Sequence, residues 1–137
     1  MHDSQWSRLE RAAKEASARA YCPYSGFRVG CAVLTGGGEI ASGCNVENAS
    51  YGLTSCAERN AIFRAVGDGA TSIVALVIYT PTPAPATPCG ACRQVLAEFG
   101  RDARIRAICD GAGTLEFSTR ELLPHAFALR PGSVSEA

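Results

Sequence analysis

Apolar and polar residues recur along this chain with a helical period in some segments and in strand-like runs in others. Near the N-terminus, apolar residues return at steps of three and four with charged residues between them, which predicts an amphipathic helix ending before Pro23. The apolar positions of this helix are Trp6, Leu9, Ala13, Ala16 and Ala20. Helical spacing also predicts two shorter helices, at 56–66 and 92–100, and a closing helical turn at 119–123.

The remaining patterned segments have the composition of β-strands. Segments 27–35 and 39–46 are joined by three consecutive glycines and predict a β-hairpin. Segment 72–80, SIVALVIYT, is a continuous apolar run, typical of a strand that is covered on both faces. Segments 104–110 and 114–118 predict a final strand pair.

The order α-β-β-α-β-α-β-β predicts how these elements pack. Strands alternating with helices favour one mixed sheet with helices on both faces. We therefore predict an α/β fold, a three-layer α/β/α sandwich with a mixed five-stranded sheet, and a single domain spanning residues 1–137.

Composition and charge narrow the classes of partner. Thirteen basic and thirteen acidic residues cancel, so electrostatics give no reason to expect a nucleic acid or an anionic membrane as partner. The longest apolar run, 73–79, is too short to span a bilayer, and the charged N-terminal segment lacks the apolar core of a signal peptide. We expect a cytoplasmic protein, in which the seven cysteines are thiols, metal ligands or core residues rather than disulfides.

The segment Pro-Cys-Gly-Ala-Cys at 88–92 is the first candidate for chemistry. Two cysteines at this spacing are consistent with a redox pair, half of a zinc knuckle or part of a catalytic metal site. A third cysteine, Cys56, opens the preceding predicted helix, while Cys89 and Cys92 open the next one. If both helices start side by side on one face of the sheet, their N-termini favour three converging thiolates, for which zinc is the best candidate.

The number of protein ligands distinguishes two kinds of zinc site. Structural sites are closed by four side chains, whereas catalytic sites leave one position to water. None of the other four cysteines, Cys22, Cys31, Cys44 and Cys109, has a partner at ligand spacing, and His2 and His125 are isolated near the chain ends. We favour the open, catalytic site; a fourth cysteine that closes an inert site is the alternative.

Two residues beside Cys56 fit that interpretation. Glu58, on the first turn of its helix, can place a carboxylate next to the metal without binding it, as proton transfer requires. Three thiolates leave the zinc centre at about −1, which opposes ionisation of water there. The neighbouring Arg59 can donate to the sulfurs and offset that excess charge. An ordinary first-turn acid and an ordinary surface arginine are the alternatives.

The motif pair Cys-Ala-Glu at 56–58 and Pro-Cys-x-x-Cys at 88–92 resembles the zinc-dependent nucleoside and nucleobase deaminases, with cysteine at the position that is histidine in other members. The resemblance covers nearly the whole chain, from YCPYSGFRVG through GCNVENASYG to ELLPHAF, and is to the small cytidine deaminases that form homotetramers. It implies one Zn²⁺ per subunit, held by Cys56, Cys89 and Cys92, with Glu58 as general acid and base.

The resemblance also implies a set of substrate contacts. Within a subunit's own cleft, the matching residues are Phe27, which would stack near cytosine, Ala57, which would offer a backbone N–H to the base, and Thr87, which would offer its backbone carbonyl to the exocyclic amine. Asn45 and Glu47 match the residues that hold the ribose 3′-hydroxyl. Ala49, Tyr51 and Phe127 match residues that complete the site of a neighbouring subunit. For Phe27, Tyr51 and Phe127, packing within their own subunit is the alternative.

The resemblance therefore implies hydrolytic deamination of cytidine, and of 2′-deoxycytidine, in pyrimidine salvage. Because the Glu47 carboxylate would repel a 3′-phosphate, we expect a free nucleoside rather than a polynucleotide. A deaminase of a cytosine-nucleoside antibiotic of the blasticidin S type is the nearest alternative, although the Asn-Val-Glu-Asn segment at 45–48 is not expected there. A non-catalytic zinc-binding module and a thiol oxidoreductase remain as alternatives from other classes.

Overall fold

The computed structural model describes residues 1–129, which form four α-helices, one 3-10 helix and five strands. The α-helices are α1 (Asp3–Ser17), α2 (Ala57–Gly67), α3 (Gly90–Phe99) and α4 (Thr119–Leu122), and the 3-10 helix is Tyr51–Leu53. The strands are β1 (Gly30–Thr35), β2 (Ile40–Cys44), β3 (Ile73–Thr80), β4 (Arg104–Cys109) and β5 (Leu115–Ser118).

All five strands belong to one mixed sheet in the order β2-β1-β3-β4-β5. β1 is antiparallel to both β2 and β3, β3 is parallel to β4, and β4 is antiparallel to β5. The predicted hairpin and the predicted final strand pair are both present. β3 lies at the centre, which explains its continuous apolar sequence, since a central strand with both faces covered needs no polar side.

Successive residues of the strands face opposite layers, and each layer has its own core. On one face, Leu9 and Ala13 of α1 pack against Ala32 and Val77. On the other face, α2 and α3 cover the sheet, where the large buried side chains are Val33, Ile62, Leu76, Leu96 and Ile105. The predicted three-layer α/β/α sandwich is therefore confirmed. Because α2 and α3 share a face, their N-termini can meet.

A glycine allows α2 to lie close to the sheet. A Cβ atom on Gly43 of β2 would lie 2.6 Å from the backbone nitrogen of Ala61 and 3.0 Å from the carbonyl oxygen of Ala57. Both contacts are with backbone atoms, which cannot move aside as a flexible side chain would. Gly43 therefore determines how closely the first turns of α2 approach the sheet.

Several boundaries differ from the predictions; for example, β1 begins at Gly30 rather than at 27, and α3 begins at Gly90 rather than at 92. The first helix ends before Pro23 as predicted, at Ser17, so Ala20 lies outside it; the Ser17 hydroxyl donates a hydrogen bond to the Lys14 carbonyl, 2.7 Å away, in its last turn. The 3-10 turn at Tyr51–Leu53 falls in a segment for which no helix or strand was predicted, because one turn is too short to show a period. Within residues 1–129, each helix is too short or too polar to cross a bilayer. The single-domain assignment for 1–137 stays a prediction.

Candidate metal centre and substrate cleft

Three cysteine thiols meet where α2 and α3 begin. Cys56 is the residue that caps the N-terminus of α2, Cys89 caps α3, and Cys92 lies in the first turn of α3. The Sγ atom of Cys89 lies 3.9 Å from that of Cys56 and 3.4 Å from that of Cys92, and all three sulfurs lie within 4.8 Å of one another. All three are free thiols.

The spacing of the sulfurs fits a zinc ion. Tetrahedral Zn–S bonds of about 2.3 Å place neighbouring sulfurs about 3.8 Å apart. The separations from Cys89 to the other two sulfurs fall on either side of that value. Within residues 1–129, the cluster consists of these three cysteines, and no fourth side chain that could ligate a metal belongs to it. Cys31 and Cys109 are buried in β1 and β4 instead. The donor set is thus the one expected for a site with a coordination position open to water.

Hydrogen bonds within the cluster favour ionised sulfur. The Cys92 thiol and the Arg59 guanidinium together lower the pKa of Cys56 to about 5. The Nη2 atom of Arg59 donates to the Cys56 sulfur at 3.3 Å. The same pairing with Cys56, followed by burial, raises the pKa of Cys92. The predicted position of Arg59 beside the sulfurs is therefore observed, and its charge lies where it offsets an excess of thiolate.

Glu58 is buried directly beside the thiols. Its side chain is only 4% exposed, and burial, as the largest cause, raises its pKa to about 7. A carboxyl group with such a pKa holds and releases a proton near neutral pH, which is the property that a general acid and base needs. An ordinary first-turn acid would face the solvent, so the environment of Glu58 favours the chemical interpretation.

A cleft of about 220 Å³ opens over Glu58 and two of the thiols. Its walls come from the segment before β1, the start of α2, the end of β3 and the loop before α3; the lining residues include Phe27, Val29, Asn45, Thr54, Cys56, Ala57, Glu58, Ile78, Thr80, Ala86, Thr87 and Cys89. Mostly apolar walls with a few polar groups are typical of a small-molecule site. Phe27, Asn45, Ala57 and Thr87, which the sequence predicts as binding residues, all lie in this wall.

Asn45 joins the cleft wall to the segment that carries Phe27. Its Nδ2 atom donates to the Phe27 carbonyl at 2.8 Å, and its Oδ1 atom accepts from the Val29 N–H at 2.9 Å. The amide therefore fixes the backbone on both sides of residue 28. The Nδ2 and Oδ1 atoms can each form one further hydrogen bond, which leaves room for a contact with ribose. That contact stays a prediction.

Glu47 lies in an adjoining pocket rather than in the cleft wall. Its carboxylate accepts hydrogen bonds from the N–H groups of Tyr24 and Ser25, at 3.0 and 3.1 Å, and from the Ser25 hydroxyl. The bond from that hydroxyl is the main reason why the pKa of Glu47 is lowered. Thr54 lines both the pocket and the cleft, so the Glu47 carboxylate is a neighbour of the cleft and is held as an anion.

The three residues assigned to a neighbouring subunit do not line the cleft of their own chain. Ala49 is exposed, Tyr51 is 79% exposed, and Phe127 is 71% exposed. The Tyr51 ring meets Tyr24 edge-on, with 6.4 Å between ring centroids. Packing of Tyr51 or Phe127 in the core of their own subunit does not occur. Their role in a neighbouring site stays a prediction.

Two residues near the thiols were missed by sequence reasoning. Asn60 and Arg93 each lie four positions after the cysteine that caps their helix, and each bonds back to the residue before that cysteine. The Asn60 side chain accepts from the Ser55 hydroxyl at 2.7 Å, and the Arg93 side chain donates to the Pro88 carbonyl at 2.8 Å. The step of four residues along a helix is the signal that could have indicated them.

Comparisons with known proteins agree with this geometry. The family model described as the cytidine and deoxycytidylate deaminase zinc-binding region matches residues 3–108. The cytidine deaminase of Sporosarcina psychrophila is 47% identical over 116 residues, covering 84% of this chain and 85% of the relative. That of Halalkalibacterium halodurans is 45% identical over 120 residues, covering 87% and 91%.

Solved structures show the same relationship. The crystal structure of cytidine deaminase from Burkholderia pseudomallei matches with a TM-score of 0.85 and 42% identity, covering 93% of this chain and 100% of that chain. The enzyme from Mycobacterium tuberculosis matches with a TM-score of 0.80 and 40% identity, covering 94% and 100%.

Fold, thiol cluster and buried glutamate together define a zinc-dependent deaminase of the α/β class. The chain belongs to the cytidine and deoxycytidylate deaminase zinc-binding family. This confirms the family that the two cysteine motifs predicted. Zinc is also confirmed as the cofactor, because the family model that matches describes a zinc-binding region and the three thiols lie at a spacing that fits this ion.

Proposed function

We propose that this protein is a cytidine deaminase, which hydrolyses the C4 amino group of cytidine to give uridine and ammonia in pyrimidine salvage. The observation that carries the proposal is the joint position of three convergent thiols and a buried glutamate in one small apolar cleft. The relatives that are 45–47% identical to this chain bear the same activity in their names.

The ligands of the metal would be Cys56, Cys89 and Cys92. Bound there, zinc supplies Lewis acidity, which lowers the pKa of water toward about 7. Glu58 accepts a proton from water at its carboxylate and delivers it to N3 of the ring, which makes C4 electrophilic toward the remaining hydroxide. Glu58 then takes the second proton from the hydroxyl now attached to C4 and passes it to the departing amine, so that the C4–N bond breaks and uridine and ammonia are left. Its burial and its pKa near 7 suit both directions of transfer. Arg59 keeps the Cys56 sulfur ionised.

The cleft walls suit a cytosine nucleoside. Phe27 offers an aromatic face for the base, the free N–H of Ala57 at the start of α2 and the carbonyl of Thr87 offer a donor and an acceptor to its polar edge, and Asn45 and Glu47 provide the groups for the ribose. A 3′-phosphate would meet the Glu47 carboxylate, so the substrate is a free nucleoside. We include 2′-deoxycytidine, because none of these contacts involves the 2′ position.

The assembly, which the resemblance implies, and the location are part of the proposal. A homotetramer would bring the exposed Ala49, Tyr51 and Phe127 of one subunit to the cleft of another. Their exposure in the single chain suits such a role, because large apolar side chains in contact with water favour burial. A cytoplasmic location and a single domain over residues 1–137 belong to the same proposal.

An ultraviolet assay of the purified protein tests the function. Cytidine, 2′-deoxycytidine, adenosine and blasticidin S are offered separately, and zinc is measured on the same sample. We expect turnover of the first two and one zinc per subunit. Selective turnover of blasticidin S would support the antibiotic deaminase, and reversible oxidation of Cys89 and Cys92 without any deamination would support the thiol oxidoreductase.

Glu58→Gln separates the enzyme from a non-catalytic zinc module. The variant keeps the shape of the side chain but cannot shuttle a proton, so we expect turnover to fall by about 10²–10⁴-fold with zinc content unchanged. Glu98→Gln is the matched control, because Glu98 is exposed on α3 and the charge change is the same. Wild-type turnover in Glu58→Gln would remove this residue from the mechanism.

A further inference from the structure

Arg93 is a charged residue that follows the proposed metal ligand Cys92 in the sequence. The chemistry described above does not involve Arg93. Its guanidinium makes three hydrogen bonds to protein atoms: Nε to the Pro88 carbonyl at 2.8 Å, Nη1 to the Leu122 carbonyl at 3.0 Å, and Nη2 to the Thr87 hydroxyl at 3.4 Å. One side chain thus ties the loop before α3 to the end of α4.

The three bonds restrain a particular peptide unit. The Thr87 carbonyl, which faces the base in the proposed complex, belongs to the peptide between Thr87 and Pro88. Arg93 binds the hydroxyl on one side of that peptide and the next carbonyl on the other side. Pro88 is fully buried and restricts the residue before it to extended conformations. The position of the Thr87 carbonyl is therefore limited by burial of Pro88 and by the guanidinium.

The third bond anchors the guanidinium itself. Leu122 is the last residue of α4, and carbonyls at the end of a helix lack partners within the helix. A positive charge is favoured at such an end. Leu122 is 29 residues from Arg93 in sequence, so this bond couples the loop before α3 to a separate part of the fold. A movement of the loop together with α3 would break the contact with α4.

We propose that Arg93 is a positioning residue for substrate binding: its guanidinium holds the Thr87-Pro88 segment, and so the carbonyl that receives the exocyclic amine of cytosine, at the wall of the cleft. The proposal rests on the proposed function for the identity of the substrate. It assigns Arg93 to the binding of the base and not to the retention of zinc, although Cys89 follows Pro88 directly.

The kinetic test compares Arg93→Ala and Arg93→Lys with wild type. Loss of a charge-assisted restraint is expected to raise KM for cytidine by about ten- to a hundredfold, with kcat within about threefold of wild type. Zinc remains at one per subunit. Arg93→Lys keeps the charge but cannot bind both sides of the peptide, so it gives an intermediate KM. Arg120→Ala is the control: it removes an arginine of α4 that pairs with Asp102 at the surface, and KM stays unchanged.

A second measurement does not depend on turnover. Hydrogen–deuterium exchange of the peptide covering 81–92 should be faster in Arg93→Ala than in wild type, and unchanged in Arg120→Ala. Unchanged exchange or an unchanged KM would overturn the proposal, as would zinc content that falls in step with kcat. If the wild type itself does not deaminate cytidine, the proposed function fails, and the exchange result alone then decides whether Arg93 holds the loop.

Discussion

At the start of α2, Ala57 is fully buried and Glu58 is 4% exposed, whereas at the start of α3 the residues Cys89, Gly90 and Ala91 are exposed. Both helices begin with a cysteine in the capping position and both contribute sulfur to one cluster. The buried start supplies one thiol and the proton-transfer group. The start of α3 supplies two thiols, the exposed Cys89 and the buried Cys92.

This difference separates two requirements of the chemistry. A carboxyl group reaches a pKa of about 7 only when it is withdrawn from water, so Glu58 must begin a helix that is pressed onto the sheet. The proposed metal ligands show no common degree of burial, since Cys89 is exposed and Cys92 is 1% exposed. The segment before each helix is supported by a polar side chain. On α2 that support is an amide, Asn60, and on α3 it is a guanidinium, Arg93.

The largest expected effect comes from removing a thiol on either helix. Cys56→Ala and Cys89→Ala each leave two sulfurs, and we expect both variants to lose zinc and turnover, which metal analysis and the ultraviolet assay will measure. Cys56→His should retain zinc, because histidine is the ligand at this position in other deaminases. Cys22→Ala is the control outside the cluster. Full zinc occupancy and turnover in Cys56→Ala would exclude α2 from the metal site.

A methyl group added at the start of α3, or between the sheet and the start of α2, tests the difference in burial. Gly43→Ala places a Cβ 2.6 Å from a backbone nitrogen of α2, so we expect a loss of about 1–3 kcal/mol in the free energy of unfolding. Gly90→Ala in the first turn of α3 meets no atom within 4 Å, and we expect a change between zero and about 1 kcal/mol of stabilisation. Denaturant titration measures both. Equal effects would contradict the contrast between the helices.

The smallest effect is expected from the support of α2. Asn60→Ala removes the donor to the Cys44 carbonyl at 2.8 Å and the acceptor of the Ser55 hydroxyl, so we expect a loss of about 1–2 kcal/mol in stability. Ser55→Ala leaves the bond to Cys44 in place and should cost about 1 kcal/mol or less. A larger loss in Ser55→Ala than in Asn60→Ala would show that the amide does not support this helix.

Sequence reasoning reached the elements whose signals are local. The continuous run at Ile73–Thr80 identified a strand with both faces covered, and helical spacing identified α2 and α3, although α3 begins at Gly90 and not at Cys92. The same reasoning missed the 3-10 turn at Tyr51–Leu53 and counted Ala20 among the apolar positions of α1, which ends at Ser17, because a helix end depends on which carbonyls find partners and not on a period.

The chain alone therefore determined the order of the elements, the α/β class, the candidate ligands and the family, because periodicity and motif spacing are properties of neighbouring residues. Only the folded structure decided that three sulfurs stand close enough for one metal ion, that Glu58 is withdrawn from water, and that Glu47 is held by Tyr24 and Ser25. It also decided that Arg93 reaches Leu122. Such contacts join segments more than twenty residues apart, and their distances are set by how helices pack on a sheet.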